Sequence, residues 1–187
     1  MGNIFSCCTT PKEEQPEFSD ISLDDSVPII TDPIPRFNGK TDTLKLQINE
    51  VYDGDTVYAI IKREELIPTQ LVQIPIRILS IDTPEKKTKN MAEKEAALLA
   101  TEAMKRLVLN KRVYVKLTKH DKFGGRFDGT LMLEGGILIS DIMILAGHGR
   151  PYKGDKKIPF DEWYDPNKIR DVEEVYHELL AKSTLIE

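Results

Sequence analysis

The chain is poor in cysteine: it has two, Cys7 and Cys8, side by side near its start. No other part of the sequence contains one, which excludes a disulfide framework and a cysteine-based zinc site from the folded part. Long hydrophobic runs are missing as well. No apolar stretch approaches the roughly 20 residues that span a bilayer, so no transmembrane helix is expected. The first residues lack an apolar core of about 7–15 residues, and a secretory signal is not expected either. Histidine is scarce, and His120, His148 and His177 show no ligand spacing. Gly-x-Ser-x-Gly, phosphate-loop and dinucleotide fingerprints are all absent.

Positive charge is not in excess. Of 31 acidic and 26 basic residues, eight acidic and three basic fall within 1–42, which leaves 23 of each sign beyond. The net charge of -5 therefore sits in the first segment, and the rest is formally neutral. A neutral domain lacks the strongly basic face of a tight, non-specific nucleic-acid binder.

What is present suits one domain with an extension: 187 residues, 40% of them hydrophobic. Residues 9–40 mix acidic residues and serine with five of the eleven prolines, up to Pro35, and sustain no apolar periodicity. Such a stretch buries too little apolar surface to offset the entropy of ordering, so residues 1–42 are expected to be a disordered acidic tail and linker. The apolar runs Val27–Ile30 and Ile34 could dock onto the domain that follows.

From Thr43 the pattern changes, and residues 43–187 read as the folded domain. Leu44, Leu46 and Ile48 alternate with polar residues up to Tyr52, as in a strand. Asp53-Gly54 signals a hairpin into a second strand over 57–62, and a third runs over 71–81. A helical stripe covers 93–109, with Asn90 as its expected cap. Strands four and five are expected at 112–117 and 129–133, followed by a turn at Glu134-Gly135-Gly136. A short helix capped by Ser140 or Asp141 and ended by Gly147 should follow, and a last helix over 169–181. Trp163 and Tyr164 are expected to pack the C-terminal segment onto the domain. The predicted fold is α+β, mainly β: a five-stranded, partly open Greek-key barrel of the OB type with about three helices.

Polar residues gather in three places. Asp53-Gly54-Asp55-Thr56 sets two carboxylates two residues apart, where on a strand they would share a face and suit a hard cation; a plain hairpin turn explains the same residues. Arg77 lies in an apolar strand, where an unpaired charge is costly, and Asp82 and Glu85 follow around Thr83-Pro84. Strict alternation puts Arg77 and Asp82 on opposite faces, so a shared site requires the strand to bend or end near Ile81. His120 to Phe127 forms a glycine-containing loop with Asp121, Lys122 and Arg126. Together these segments hold the inventory of phosphodiester hydrolysis: carboxylates for a metal, one more as base, and arginines for developing charge.

These segments, in this order on a five-stranded barrel, resemble the staphylococcal nuclease family, the thermonuclease-like domains, over about residues 43–160. The pair Asp-Gly-Asp-Thr and Arg-x4-Asp-Thr-Pro-Glu carries the resemblance, and Gly-His-Gly-Arg-Pro-Tyr at 147–152 adds to it. The resemblance implies Ca²⁺ held by Asp55, Asp82 and the main-chain carbonyl of Thr83, with Asp53 just outside, orienting a water. Glu85 would be the general base, and Arg77 and Arg126 would grip the scissile phosphate. Lys122 and Tyr152 would contact the nucleotide. The implied activity is a calcium-dependent endonuclease acting on DNA and RNA, preferably single-stranded, and leaving 3′-phosphate ends. The loop before Arg126 departs from the family pattern: it reads Asp-Lys-Phe-Gly-Gly-Arg, one glycine longer, with Phe123 at the aromatic position. Two other readings stay open, a non-catalytic nucleic-acid-binding or protein-binding module and a membrane adaptor.

At the N-terminus, Met1-Gly2-Asn3-Ile4-Phe5-Ser6 fits N-myristoylation at Gly2, and Cys7 and Cys8 follow where S-palmitoylation would be possible. Two acyl chains anchor stably, whereas one binds marginally. The expectation is a lipid-anchored monomer at the cytoplasmic face of an intracellular membrane, its acidic linker repelled from anionic lipid.

Overall fold

The computed structural model describes residues 43–62, 71–120 and 125–184. The alternation from Leu44 becomes strand β1 (Leu44–Val51), and the Asp-Gly turn leads into β2 (Thr56–Lys62). β3 (Leu71–Ile78) follows, then the two-residue β4 (Ile81–Asp82). Helix α1 (Met91–Val108) begins where Asn90 accepts from the N–H groups of Ala92 and Glu93, the cap expected from its position. β5 (Arg112–His120) and β6 (Phe127–Met132) complete the sheet. Helix α2 (Ile139–Leu145), the two-residue β7 (Arg150–Pro151) and helix α3 (Val172–Ser183) end the described chain.

The five long strands close on themselves in the order β1-β2-β3-β6-β5, with β5 paired back to β1. Every pairing is antiparallel except β3 with β6, which is parallel. The barrel is therefore closed, not partly open, which removes exposed sheet edges. Inside lie Ile48, Val57, Ile76, Val115 and Leu131, each fully buried. Met104 and Val108 of α1, Ile142 and Met143 of α2, and Val172 and Val175 of α3 belong to the same core.

Two expected details differ. α2 starts one residue before Ser140, after Leu138, and no side chain caps it; Ser140 is buried in its first turn and Asp141 lies beside it. α3 starts at Val172, not at 169, because Asp171 accepts from Glu173 N–H and Glu174 N–H and so fixes the first turn. Gly147 ends α2 as expected, with φ +80 in the left-handed region. Trp163 and Tyr164 pack with Phe160 in a small ring cluster, Phe160 stacking on Tyr164 at 4.6 Å. The disordered-tail reading of 1–42 and the docking of Val27–Ile30 and Ile34 lie outside the described residues.

Candidate active site

The conflict between Arg77 and Asp82 is resolved by the backbone. β3 stops at Ile78, and Leu79 and Ser80 turn the chain before β4 carries Asp82. Ser80 has φ +69, a conformation that costs a non-glycine residue energy and persists where the surroundings impose it. The turn is held from two sides: Leu79 N–H donates to the Gly129 carbonyl at 2.9 Å, and Tyr152 N–H to the Ser80 carbonyl at 3.1 Å. β4 then pairs with β7, setting Asp82 opposite Arg150.

The two aspartates of the first motif sit in the β1–β2 turn, not on one face of a strand. Asp53 turns back so that its Oδ1 accepts from Asp55 N–H at 3.2 Å, and this aims Asp55 inward. Gly54 is the close-approach point: a Cβ there would stand 2.9 Å from the Thr83 side chain, so the turn can lie against the end of β4 only without one. Asp55, Thr56, Asp82 and Thr83 are all buried.

Around Asp55 the groups interlock. Arg77 Nη2 stands 3.5 Å from Asp55 Oδ2. The Thr56 hydroxyl donates to Asp55 Oδ1 at 3.0 Å and accepts from Arg126 Nη1 at 3.4 Å. Burial, then the negative charge of Asp53, push the Asp55 carboxyl up to about 7, with Glu85 adding to the rise. The Arg77 guanidinium and the Thr56 hydroxyl pull against that rise.

Asp82 is held differently. Arg150 Nη2 donates to its Oδ2 at 2.8 Å. Its Oδ1 is buried and accepts no hydrogen bond, although Lys157 Nζ lies 3.1 Å away as an ion-pair partner. The same ammonium hydrogen-bonds Glu85 Oε1, so one lysine joins the two carboxylates. Burial alone would depress the Lys157 ammonium; its contacts with Glu85 and Asp82 outweigh that and raise it. Among the described residues no three His, Cys, Asp or Glu side chains gather into a cation-ready group. The donor chemistry nevertheless fits a hard cation: two buried carboxylates, one of them with an oxygen free of hydrogen bonds.

A cleft of about 600 Å³ opens beside these groups. It is lined by the apolar Ile78, Leu79 and Ile81 and by Arg77, Arg126, Lys119, Lys153 and Lys157. Tyr152 also lines it, its hydroxyl donating to the Asp155 carbonyl at 3.0 Å, with the Arg150 guanidinium 5.6 Å over its ring. The domain is neutral overall, but five cations and one carboxylate, Asp128, line this cleft.

The structure thus brings Asp53, Asp55, Arg77 and Arg126 together, and joins Asp82 to Glu85 through Lys157. Thr83 lies against Gly54. Gly2, Cys7, Cys8 and Lys122 lie outside the described residues, as does Phe123. Sequence reasoning gave no role to Thr56, which stood within the Asp-Gly-Asp-Thr motif, to Arg150 or to Lys157. Arg150 stood within the quoted Gly-His-Gly-Arg-Pro-Tyr, where an arginine between glycine and proline was the available signal. Lys157 gave none, being one lysine among several.

The family model described as Staphylococcal nuclease homologue matches residues 75–172. That stretch contains Arg77, Asp82, Glu85, Arg126, Arg150 and Lys157, while Asp53 and Asp55 precede it and reach the site through β2. No curated protein matches the chain.

Proposed function

The chain belongs to the staphylococcal nuclease homologue family, and from that premise we propose that it is a calcium-dependent phosphodiesterase. Its substrates in this reading are DNA and RNA, preferably single-stranded, cut to 3′-phosphate ends. The observation that carries the reading is that Arg77 and Arg126, which both line the cleft, converge on the Asp55–Thr56 pair.

The residues divide the chemistry as follows. The two guanidiniums hold the non-bridging phosphate oxygens and stabilise the charge that develops on them. Thr56 fixes Arg126 relative to Asp55, so both charges are aimed before substrate arrives. The water oxygen bonds to phosphorus as Glu85 takes its proton and the phosphorus–O5′ bond breaks; the departing 5′ oxygen takes a proton from solvent and ends as a hydroxyl. Asp55, Asp82 and the Thr83 carbonyl would hold Ca²⁺, with Asp53 beside them. When bound, Ca²⁺ supplies Lewis-acid polarisation of the phosphate. Tyr152 and Lys122 would contact the nucleotide. Acylation at Gly2, Cys7 and Cys8 would tether this monomeric domain to the cytoplasmic face of a membrane.

The test is digestion of single-stranded DNA with Ca²⁺ or with EGTA, for the parent chain and Glu85→Gln. Calcium-dependent cleavage to 3′-phosphate ends, slowed about 100-fold or more in Glu85→Gln, is the expected result. A folded, calcium-binding chain that retains DNA without cutting it would replace this reading by the binding module.

A further inference from the structure

We propose that Lys157 is a positioning residue with a second effect: it holds Glu85 in the chain without calcium, and it competes with calcium for Asp82. The proposal rests on the calcium reading of the site. Its ground is that a single ammonium bridges the group assigned as base and a group assigned as metal ligand. Lys157 Nζ hydrogen-bonds Glu85 Oε1 and lies 3.1 Å from Asp82 Oδ1.

The two ends of this bridge differ in freedom. The Asp82 side chain is 6% exposed and tied to Arg150, whereas the Lys157 side chain is 49% exposed. The carboxylate is fixed and the cation can withdraw. The Asp82 oxygen that faces Lys157 is the one with no hydrogen bond of its own, so it is the oxygen open to a harder cation. Calcium takes its oxygens at about 2.3–2.6 Å, closer than an ammonium does, and a lysine a few ångströms from a divalent ion is repelled. Occupation by one cation therefore weakens the hold of the other. Lys157 also lines the cleft, where a phosphate offers the displaced ammonium a new partner. Calcium and substrate would then draw it in the same direction, away from Glu85, and leave that carboxylate free to accept a proton.

The experiment compares the full-length parent chain with Lys157→Met and Lys157→Arg by calcorimetric Ca²⁺ titration and by thermal unfolding in EGTA. Lys157→Met is expected to bind Ca²⁺ about tenfold more tightly, because a positive charge beside the site is gone. In EGTA it should unfold about 2–4 °C lower, because Glu85 and Asp82 lose their shared partner. Lys157→Arg should stay near the parent in both. A purely structural role would weaken calcium binding and stability together, so calcium affinity that is unchanged or reduced in Lys157→Met overturns the proposal. If the parent binds no calcium, the calcium reading falls, and competition with it. The positioning role is then judged by a Lys157→Met and Glu85→Gln double-mutant cycle in EGTA: non-additive unfolding midpoints support it and additive ones overturn it.

Discussion

Arg150 donates from Nη2 to Asp82 Oδ2 at 2.8 Å, joining residues 68 positions apart across the β4–β7 pair. Both side chains are largely buried, so the bond, with the Lys157 ion pair, offsets the cost of holding the Asp82 charge out of water. Removing Arg150 leaves a buried charge with Lys157 as its one remaining ion-pair partner among the described residues. Arg150→Met is expected to cost about 3 kcal/mol, read by urea unfolding in EGTA. Adding Asp82→Asn should restore part of that loss, since the remaining group is then neutral. A single variant as stable as the parent would show that Asp82 is satisfied by Lys157 alone.

The reach of the sequence into this site follows the same distinction. Asp53, Asp55, Arg77, Asp82 and Glu85 stand in short local patterns, and a strand, a turn and a proline suffice to bring each pattern to the barrel rim. The Arg77–Asp82 conflict was visible as a requirement for a bend, but the bend itself depends on Ser80 taking φ +69 under bonds from Gly129 and Tyr152. Nothing local to Ser80 announces those bonds. Arg150 and Lys157 arrive through a two-residue strand and an irregular segment, too short for any periodicity. The barrel strands were legible because alternation extends over several residues. Their closure was not, because it depends on β1 meeting β5 at residues 65 to 71 positions later, as in Gln47 with Arg112 and Leu44 with Val115, a long-range pairing.

Asp55 stores instability that calcium would relieve. Its folded-state value of about 7 lies above the ordinary 3.8. A raised carboxyl stabilises the fold at low pH, and that contribution is lost as pH rises between those values. In EGTA, Asp55→Asn should therefore be more stable than the parent at pH 8, by about 2 kcal/mol, with a smaller gap at pH 5. Urea unfolding at the two pH values measures both gaps. Calcium at pH 8 should narrow the difference by stabilising the parent more than the variant. A gap independent of pH would mean that Asp55 is already satisfied by Arg77.

The proposed tether makes a separate prediction. Myristoylation requires the Gly2 amine, and palmitoylation of Cys7 and Cys8 would give the second chain needed for stable anchoring. Gly2→Ala in eukaryotic cells should move the protein from the membrane pellet to the soluble fraction, and Cys7→Ser with Cys8→Ser should leave it only weakly held. Calcium-dependent cleavage by the purified variants should match the parent. Membrane association that survives Gly2→Ala would remove the acyl anchor from the proposal.

The extra glycine in the loop before β6 raises the question whether Arg126 still reaches the phosphate. The structure places its Nη1 3.4 Å from the Thr56 hydroxyl, which itself donates to Asp55, so the arginine arrives beside the same carboxylate as Arg77. If both arginines stabilise charge that develops only in the transition state, their loss should lower turnover and leave ground-state binding nearly intact. Arg126→Ala and Arg77→Ala are each expected to reduce kcat about 100-fold or more with little change in KM, read by steady-state cleavage of a fluorogenic oligonucleotide. Arg126→Ala with parental kcat would mean that the longer loop has taken this arginine out of the chemistry, and Arg77 would then act alone.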